Sequence, residues 1–196
     1  MNPASLRRTL VFGGARSGKS AHAERLALAA ADAGEIIYLA TAAGRTDAEM
    51  QLRIEQHRAR RDALGGQWRT VQEPMALGRA LREHGRADNV VLVDCLTVWL
   101  SNLLFADGIE FPEMGPIIAP TAFTLERVDF LRALQEAPGR VILVSNEVGM
   151  GIVPQGAVSR WFVDEAGRLN QSVAAVCEQV HWVAAGLPLS FKGGPC

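Results

Sequence analysis

The sequence predicts an α/β protein, a doubly wound and mostly parallel sheet with helices on both faces. Three observations carry that reading. Apolar runs of strand length alternate with longer segments of helical periodicity along the whole chain, as in successive strand–helix units. Runs such as Glu35–Ala40 and Asn89–Cys95 are too continuously apolar for a sheet with one wet face, and suit one covered on both. The first run, Thr9-Leu10-Val11-Phe12, enters Gly13-Gly14-Ala15-Arg16-Ser17-Gly18-Lys19-Ser20, and a helix-forming segment leaves it. Strand, G-x-x-x-x-G-K-S loop and helix form the context of a phosphate-binding P-loop. The expected fold is therefore of P-loop NTPase type.

The elements follow in order. Arg8 to Phe12 reads as the first strand and Gly18 to about Ala31 as the first helix, with Asp32-Ala33-Gly34 closing it through its glycine. Glu35 to Ala40 is the second strand, and Thr41 to Arg45 a polar crossing at its C-terminal end, where open α/β sheets place ligands. A helix is expected from Asp47 to about Ala63, ended by Gly65-Gly66. Trp68 to Val71 is a short strand, and Pro74 marks the start of a helix through Met75 to Glu83. Asn89 to Cys95 is a third strong strand, followed by the hydrophobic segment Leu96 to Phe105. Three prolines and two glycines in residues 107–120 predict a loop rather than a second domain, so 1–196 is read as one domain. A helix over Phe123 to Glu136, a strand over Arg140 to Asn146, and a glycine-interrupted loop to Pro154 come next. Val158, Trp161, Phe162, Glu165, Leu169, Val173 and Val176 share one mostly apolar helical face. His181 to Ala185 is the last core strand, and Leu187 to Phe191 returns beside it as a short edge hairpin.

A chain of 196 residues with 48% apolar content is long enough to bury a real core. A formal charge of −1 provides no general attraction to nucleic acid or to an anionic membrane, so neither is an expected partner. Cys95, Cys177 and Cys196 are odd in number and form no C-x-x-C, which argues against a disulfide framework or a thiolate zinc site. No apolar stretch reaches membrane-spanning length and the N-terminus lacks a signal-like apolar region, so a cytoplasmic protein is expected.

In the P-loop, Gly13, Gly14, Ala15, Arg16, Ser17 and Gly18 would turn backbone N–H groups around phosphate oxygens, with the helix start adding its own. Lys19 would reach the β- and γ-phosphates and Ser20 would ligate Mg²⁺. Only two lysines occur in the chain, Lys19 and Lys192, which makes the one inside the motif harder to dismiss as an ordinary surface residue. Asp94 ends a hydrophobic strand, the position of a Walker-B carboxylate for the same Mg²⁺, or of a capping residue for the next turn. Arg16 suits phosphate contact and solvent equally. Asn146 and Glu147 end another strand and suit either substrate contact or loop capping. His57 lies among Arg53, Arg58, Arg60 and Arg61. Its imidazole has the nucleophilicity to attack an α-phosphate, but spacing alone favours a solvated helix face.

The ordered motif set says more. The P-loop, Tyr38-Leu39-Ala40-Thr41, Asp47-Ala48-Glu49-Met50 with Arg53-Ile54 and His57-Arg58, Trp68-Arg69-Thr70, and Asp94-Cys95-Leu96-Thr97 with Asn102-Leu103-Leu104 occur in sequence. Asn146-Glu147-Val148-Gly149-Met150-Gly151-Ile152-Val153-Pro154 and Gly167-Arg168-Leu169-Asn170-Gln171 are the most specific pieces. Over nearly its full length the chain resembles the bifunctional adenosylcobinamide kinase / adenosylcobinamide-phosphate guanylyltransferase family of cobalamin biosynthesis. The resemblance implies phosphorylation of the adenosylcobinamide aminopropanol hydroxyl by ATP or GTP. It further implies GMP transfer from GTP to adenosylcobinamide-phosphate through a guanylylated histidine, which matches His57. Nucleotide contacts carried over are Gly13 through Ser20, Ala40, Thr41, Ala42, Arg58, Ala59, Arg60, Arg61, Asp94 and one of Gln72 and Glu73. A departure in length leaves open which of that last pair takes the acidic position of the family. Gln56 stands where some relatives have a second histidine. For His57 to meet phosphorus, its helix must come over the P-loop, so residues 42–66 are expected to move. The family implies a homotrimer, and apolar residues around Trp99, Leu103, Leu104 and Phe105 are compatible with an interface. Two other readings compete: a single-activity P-loop kinase, and a nucleotide-regulated binding protein.

Overall fold

The computed structural model describes residues 7–32, 34–42, 48–106 and 108–194. Seven strands form one sheet: β1 (Arg8–Gly13), β2 (Glu35–Ala40), β3 (Gln67–Gln72), β4 (Val90–Asp94), β5 (Arg140–Asn146), β6 (Gln179–Ala184) and β7 (Leu187–Lys192). Their order across the sheet is β3-β2-β4-β5-β1-β6-β7. All neighbours are parallel except β6 and β7, which pair antiparallel as the expected edge hairpin.

Alternation along the strands divides the core into two layers. Val11, Ile36, Tyr38, Leu92, Ile142 and Val144 pack with Ala23 and Ala27 of α1 (Lys19–Ala30). Over the same layer lies α2 (Ala48–Leu64), whose Arg61 covers the ring of Tyr38. Leu10, Ile37, Leu39, Val91, Val93 and Leu143 face the other way. They are covered by α3 (Leu77–His84), α4 (Leu96–Leu104), α5 (Thr121–Glu136) and α6 (Ala157–Val176). Helices on both faces of a mostly parallel sheet are what the sequence predicts.

Three local expectations are corrected. The left-handed residue after α1 is Asp32 (φ 49°), and Gly34 serves instead where a Cβ would come within 2.6 Å of the Asp88 carbonyl oxygen. Pro74 lies before α3 rather than in its first turn: the Glu73 carboxylate accepts from the Met75 and Ala76 N–H groups, and the helix begins at Leu77. The hydrophobic segment after Asp94 is a helix, α4, and it is core rather than interface. Trp99, Leu103 and Leu104 are fully buried, with Trp99 packed against Phe130, and only Phe105 is exposed, against Phe111. Glu165 lies on the inner face of α6 as expected, neutralised there by Arg127 and Arg168. Residues 108–120 carry no helix or strand, as their prolines suggest.

Candidate active site

Parallel pairing brings the C-terminal ends of six strands to one edge, and most candidate residues lie there. Register aligns Gln72 with Ala40, Ala40 with Asp94, Asp94 with Val144, and Asn146 with Gly13. Strand β5 stands between β1 and β4, so Asp94 faces the P-loop from two strands away.

The P-loop joins β1 to α1. Gly18 adopts φ 95° at the N-cap, and a Cβ there would meet Gly186 Cα at 2.9 Å. Glycine is required at that position both by the left-handed backbone and by the close approach. The turn between β6 and β7 is the neighbour that imposes it, through a hydrogen bond from Gly186 N–H to the Ser17 carbonyl of 2.8 Å. No side chain caps α1, the arrangement in which helix N-termini can accept an anion. Lys19 is buried, with its Nζ donating to the Gly14 carbonyl at 3.2 Å, while Ala15 and Arg16 are exposed. Ser20 is half-buried in the first turn.

Around the loop, side chains hold backbone in place. Thr41 is buried, and its hydroxyl donates to the Cys95 carbonyl and accepts from the Cys95 N–H, at 2.9 and 2.8 Å. Asn102 ties the carbonyls of Thr41 and Pro74 together, so the Ala40–Ala42 crossing is anchored to α4. Asn146 is fixed through its N–H to Thr97 Oγ1 and its carbonyl to Asn170, and Glu147 N–H donates to the Gly13 carbonyl at 3.0 Å. The Glu147 carboxylate turns back onto the Gly149 N–H, which is the loop-capping arrangement. Glu73 is committed in the same way to Met75, Ala76 and Arg79, whereas Gln72 is exposed at the end of β3. Burial would push the Glu73 carboxyl up, but the Ala76 and Met75 N–H groups and Arg79 hold it below its ordinary value.

Asp94 Oδ2 accepts from the Tyr38 hydroxyl at 3.1 Å. Burial, then the Asp94 charge, push the Tyr38 phenol well above its ordinary value, so it remains a donor. The Arg61 guanidinium lies 3.8 Å from the centre of that ring and is itself buried. From there the charge network runs to Glu24 on α1, which is fully buried. Arg60 binds it with Nε at 2.5 Å and Nη2 at 3.0 Å, while His57 Nδ1 lies 3.6 Å and Arg61 Nη1 4.0 Å away. Burial would push the Glu24 carboxyl up, but its neighbours His57 and Arg60 outweigh it and hold it below its ordinary value. Arg58 and Ala59 lie on the outer side of α2 and are exposed. The motif stretch Asp47-Ala48-Glu49-Met50 and the start of the expected mobile segment fall partly on residues 43–47, outside the described residues.

The structure thus brings together the P-loop, Asp94, Asn146 and, through Glu24, the His57–Arg61 turn. Glu24 and Tyr38 are the residues that sequence reasoning did not single out for chemistry. Glu24 reads as one acidic residue on an ordinary helix, and only its partners from α2 distinguish it.

A G-x-x-x-x-G-K-S loop between β1 and an uncapped helix, with an aspartate at the end of a nearby core strand, defines a P-loop nucleotide-binding protein. An ATP synthase subunit from Nanoarcheaum equitans has a related fold: TM-score 0.51 at 13% identity, covering 91% of this chain and 45% of that one. A family model described as cobinamide kinase / cobinamide phosphate guanyltransferase matches residues 9–191. The bifunctional adenosylcobalamin biosynthesis protein CobP of Pseudomonas aeruginosa is 50% identical over 96% of this chain and 99% of its own length. The corresponding CobU proteins of Escherichia coli and Salmonella typhimurium are each 40% identical over 93% of this chain and 98% of theirs. The chain belongs to the cobinamide kinase / cobinamide phosphate guanyltransferase family. It is a two-activity transferase, kinase and nucleotidyltransferase, of cobalamin biosynthesis. Among the described residues no helix is long and apolar enough to cross a membrane.

Proposed function

We propose that one phosphate cradle, Gly13 through Ser20, serves both reactions of this enzyme and that His57 carries GMP between them. In the kinase reaction the aminopropanol hydroxyl of adenosylcobinamide attacks the γ-phosphorus of ATP or GTP held by the loop. In the second reaction His57 attacks the α-phosphorus of GTP and pyrophosphate leaves. The phosphate of adenosylcobinamide-phosphate then takes GMP from the histidine, giving adenosylcobinamide-GDP. Splitting the transfer replaces one encounter of two polyanions by two steps through a neutral nucleophile. The observation that carries this reading is the docking of His57, Arg60 and Arg61 onto Glu24 of α1, the helix the P-loop itself begins. Glu24 is five residues beyond Lys19, about 7 Å along the axis.

Lys19 and the loop N–H groups bind the β- and γ-phosphates, with Arg58, Ala59, Arg60 and Arg61 meeting the nucleotide from α2 and Ala40, Thr41 and Ala42 from the end of β2. Gln72 fits the remaining nucleotide contact better than Glu73, whose carboxylate is already occupied. Asn146 and Glu147 border the loop on the acceptor side. The hydroxyl of Ser20 and the carboxylate of Asp94 are hard oxygen donors that suit Mg²⁺, and Asp94 Oδ2 is steadied by Tyr38. When bound there, Mg²⁺ would supply charge neutralisation for the phosphates. The compartment proposed is the cytoplasm and the assembly a homotrimer. With α4 buried, the exposed apolar residues left for subunit contact include Leu187, Leu189 and Phe191 on the edge strand.

The test is incubation with α-³²P-labelled GTP and Mg²⁺. The expected result is an acid-labile, base-stable label on the protein that His57→Ala abolishes. Equal labelling of His57→Ala and parent would rule out the guanylyl-histidine, and a single-activity kinase would take its place.

A further inference from the structure

Glu24 has a chemical role to fill that its burial alone does not explain. A carboxylate removed from water stays charged only when it is paired, and among the described residues its ion-pair partners come from one turn of α2. Arg60 Nη2 is 3.0 Å from Glu24 Oε1 and also 3.0 Å from His57 Nδ1. That single nitrogen stands between carboxylate and imidazole. While Arg60 donates to Nδ1, Nδ1 holds the ring's lone pair and the hydrogen sits on Nε2. Nδ1 is then covered and Nε2 has no lone pair to offer, so the imidazole is not a nucleophile.

The two arginines differ in how easily they leave. The Arg60 side chain is 39% exposed and Arg61 5% exposed, stacked on Tyr38 with an Nη1 that makes no hydrogen bond. A triphosphate in the cradle can therefore draw Arg60 outward while Arg61 stays and closes on Glu24. With Arg60 gone, Glu24 Oε1, 3.6 Å away, is the acceptor beside Nδ1 among the described residues. Nδ1–H donated to that carboxylate moves the lone pair to Nε2.

We propose that Glu24 is the positioning residue that selects the nucleophilic tautomer of His57, and that Arg60 withholds this tautomer until a nucleoside triphosphate binds. The inference rests on His57 being the guanylyl acceptor and deepens that reading. In the step it prepares, the Nε2 lone pair forms the Nε2–Pα bond. The bond from Pα to the oxygen bridging Pβ breaks, and pyrophosphate leaves with that electron pair. The ring keeps Nδ1–H and one positive charge, which Glu24 offsets. In the next step an oxygen of the acceptor phosphate attacks Pα, the Nε2–Pα bond breaks, and its pair returns to Nε2.

The experiment uses the full chain, single-turnover labelling by α-³²P GTP, and ¹⁵N NMR of the His57 ring with a GTP analogue whose α–β bridge cannot be cleaved. Glu24→Gln should lower the labelling rate constant by about 10²-fold, with the loss in rate rather than in GTP affinity, since orienting a catalytic imidazole has effects of this order. Glu24→Asp should recover most of it. The ring should show Nδ1–H in the parent complex and Nε2–H in E24Q. Arg60→Ala without nucleotide should already show Nδ1–H, a readout that stands even if E24Q does not fold. Labelling of E24Q within threefold of parent, or a ring tautomer indifferent to both substitutions, overturns the proposal. A parent that takes no label removes the guanylyl-histidine, and this inference with it; a parent and E24Q that label alike remove this inference alone.

Discussion

At the scale of single residues, the site is organised by where charge is allowed to remain buried. Lys19 is buried beside the loop carbonyls, and Glu24 is buried under two arginines and a histidine. Buried charges of this kind are retained for ligands or partners, because desolvation alone would disfavour them. If one cradle serves both reactions, Lys19→Ala should lower kinase turnover and His57 labelling together, each by about 10²-fold or more, as for loss of a single charge-stabilising group. Steady-state kinase assays and GTP labelling on the same preparation check this. Loss of the kinase alone would mean two phosphate sites. The cysteines contrast with these groups: burial pushes Cys95 and Cys177 up to about 12, so they remain protonated and chemically quiet.

Elements set the distances between these residues. The β6–β7 hairpin is the clearest case, since its turn braces the P-loop through Gly186 and Ser17. Both turn residues have positive φ, Ala185 at 51° and Gly186 at 79°, the requirement of a two-residue hairpin that follows strand twist. Alanine is a poor choice there, and asparagine tolerates the left-handed region at lower cost. Ala185→Asn should therefore stabilise the fold by roughly 0.5–1 kcal/mol, read as a higher urea midpoint at unchanged slope. The strand itself was legible as a return beside His181–Ala185, and its place against the P-loop was not. The same holds for α4, whose apolar character was plain while its burial against Phe130 depended on α5, more than twenty residues later.

For the whole molecule, pH dependence comes from a pair that joins α1 to the sheet. His22 Nε2 and His181 Nδ1 lie 2.9 Å apart in the interior. Burial, then the His181 and Arg25 charges, lower His22 to about 4, and burial lowers His181. The unfolded chain takes up a proton near 6.5 that the folded His22 refuses until about 4. Between those values the unfolded state binds more protons, so stability rises with pH and is lost on acidification. The full effect of His22 is about 3 kcal/mol, present above 6.5 and gone below 4. Unfolding free energy measured across this window should fall less steeply in His22→Gln than in the parent. An equal slope would place the acid sensitivity elsewhere.

The sequence by itself determined the ligand class, the order and type of nearly every element, and the family, because those signals are local. A G-x-x-x-x-G-K-S loop works through the backbone on either side of it, and strand or helix periodicity needs only a dozen neighbouring residues. It also singled out His57 through the family resemblance. Tertiary structure decided what depends on distant residues meeting. It placed β5 between β1 and β4, so Asp94 faces the loop across an intervening strand. It buried Trp99, Leu103 and Leu104 in the core rather than at a subunit boundary. It committed Glu73 to its own loop, leaving Gln72 exposed. Most of all, it brought Glu24 of α1 to Arg60, Arg61 and His57 of α2. A buried charge is defined by its partners, and these lie more than thirty residues away, beyond the reach of any local pattern.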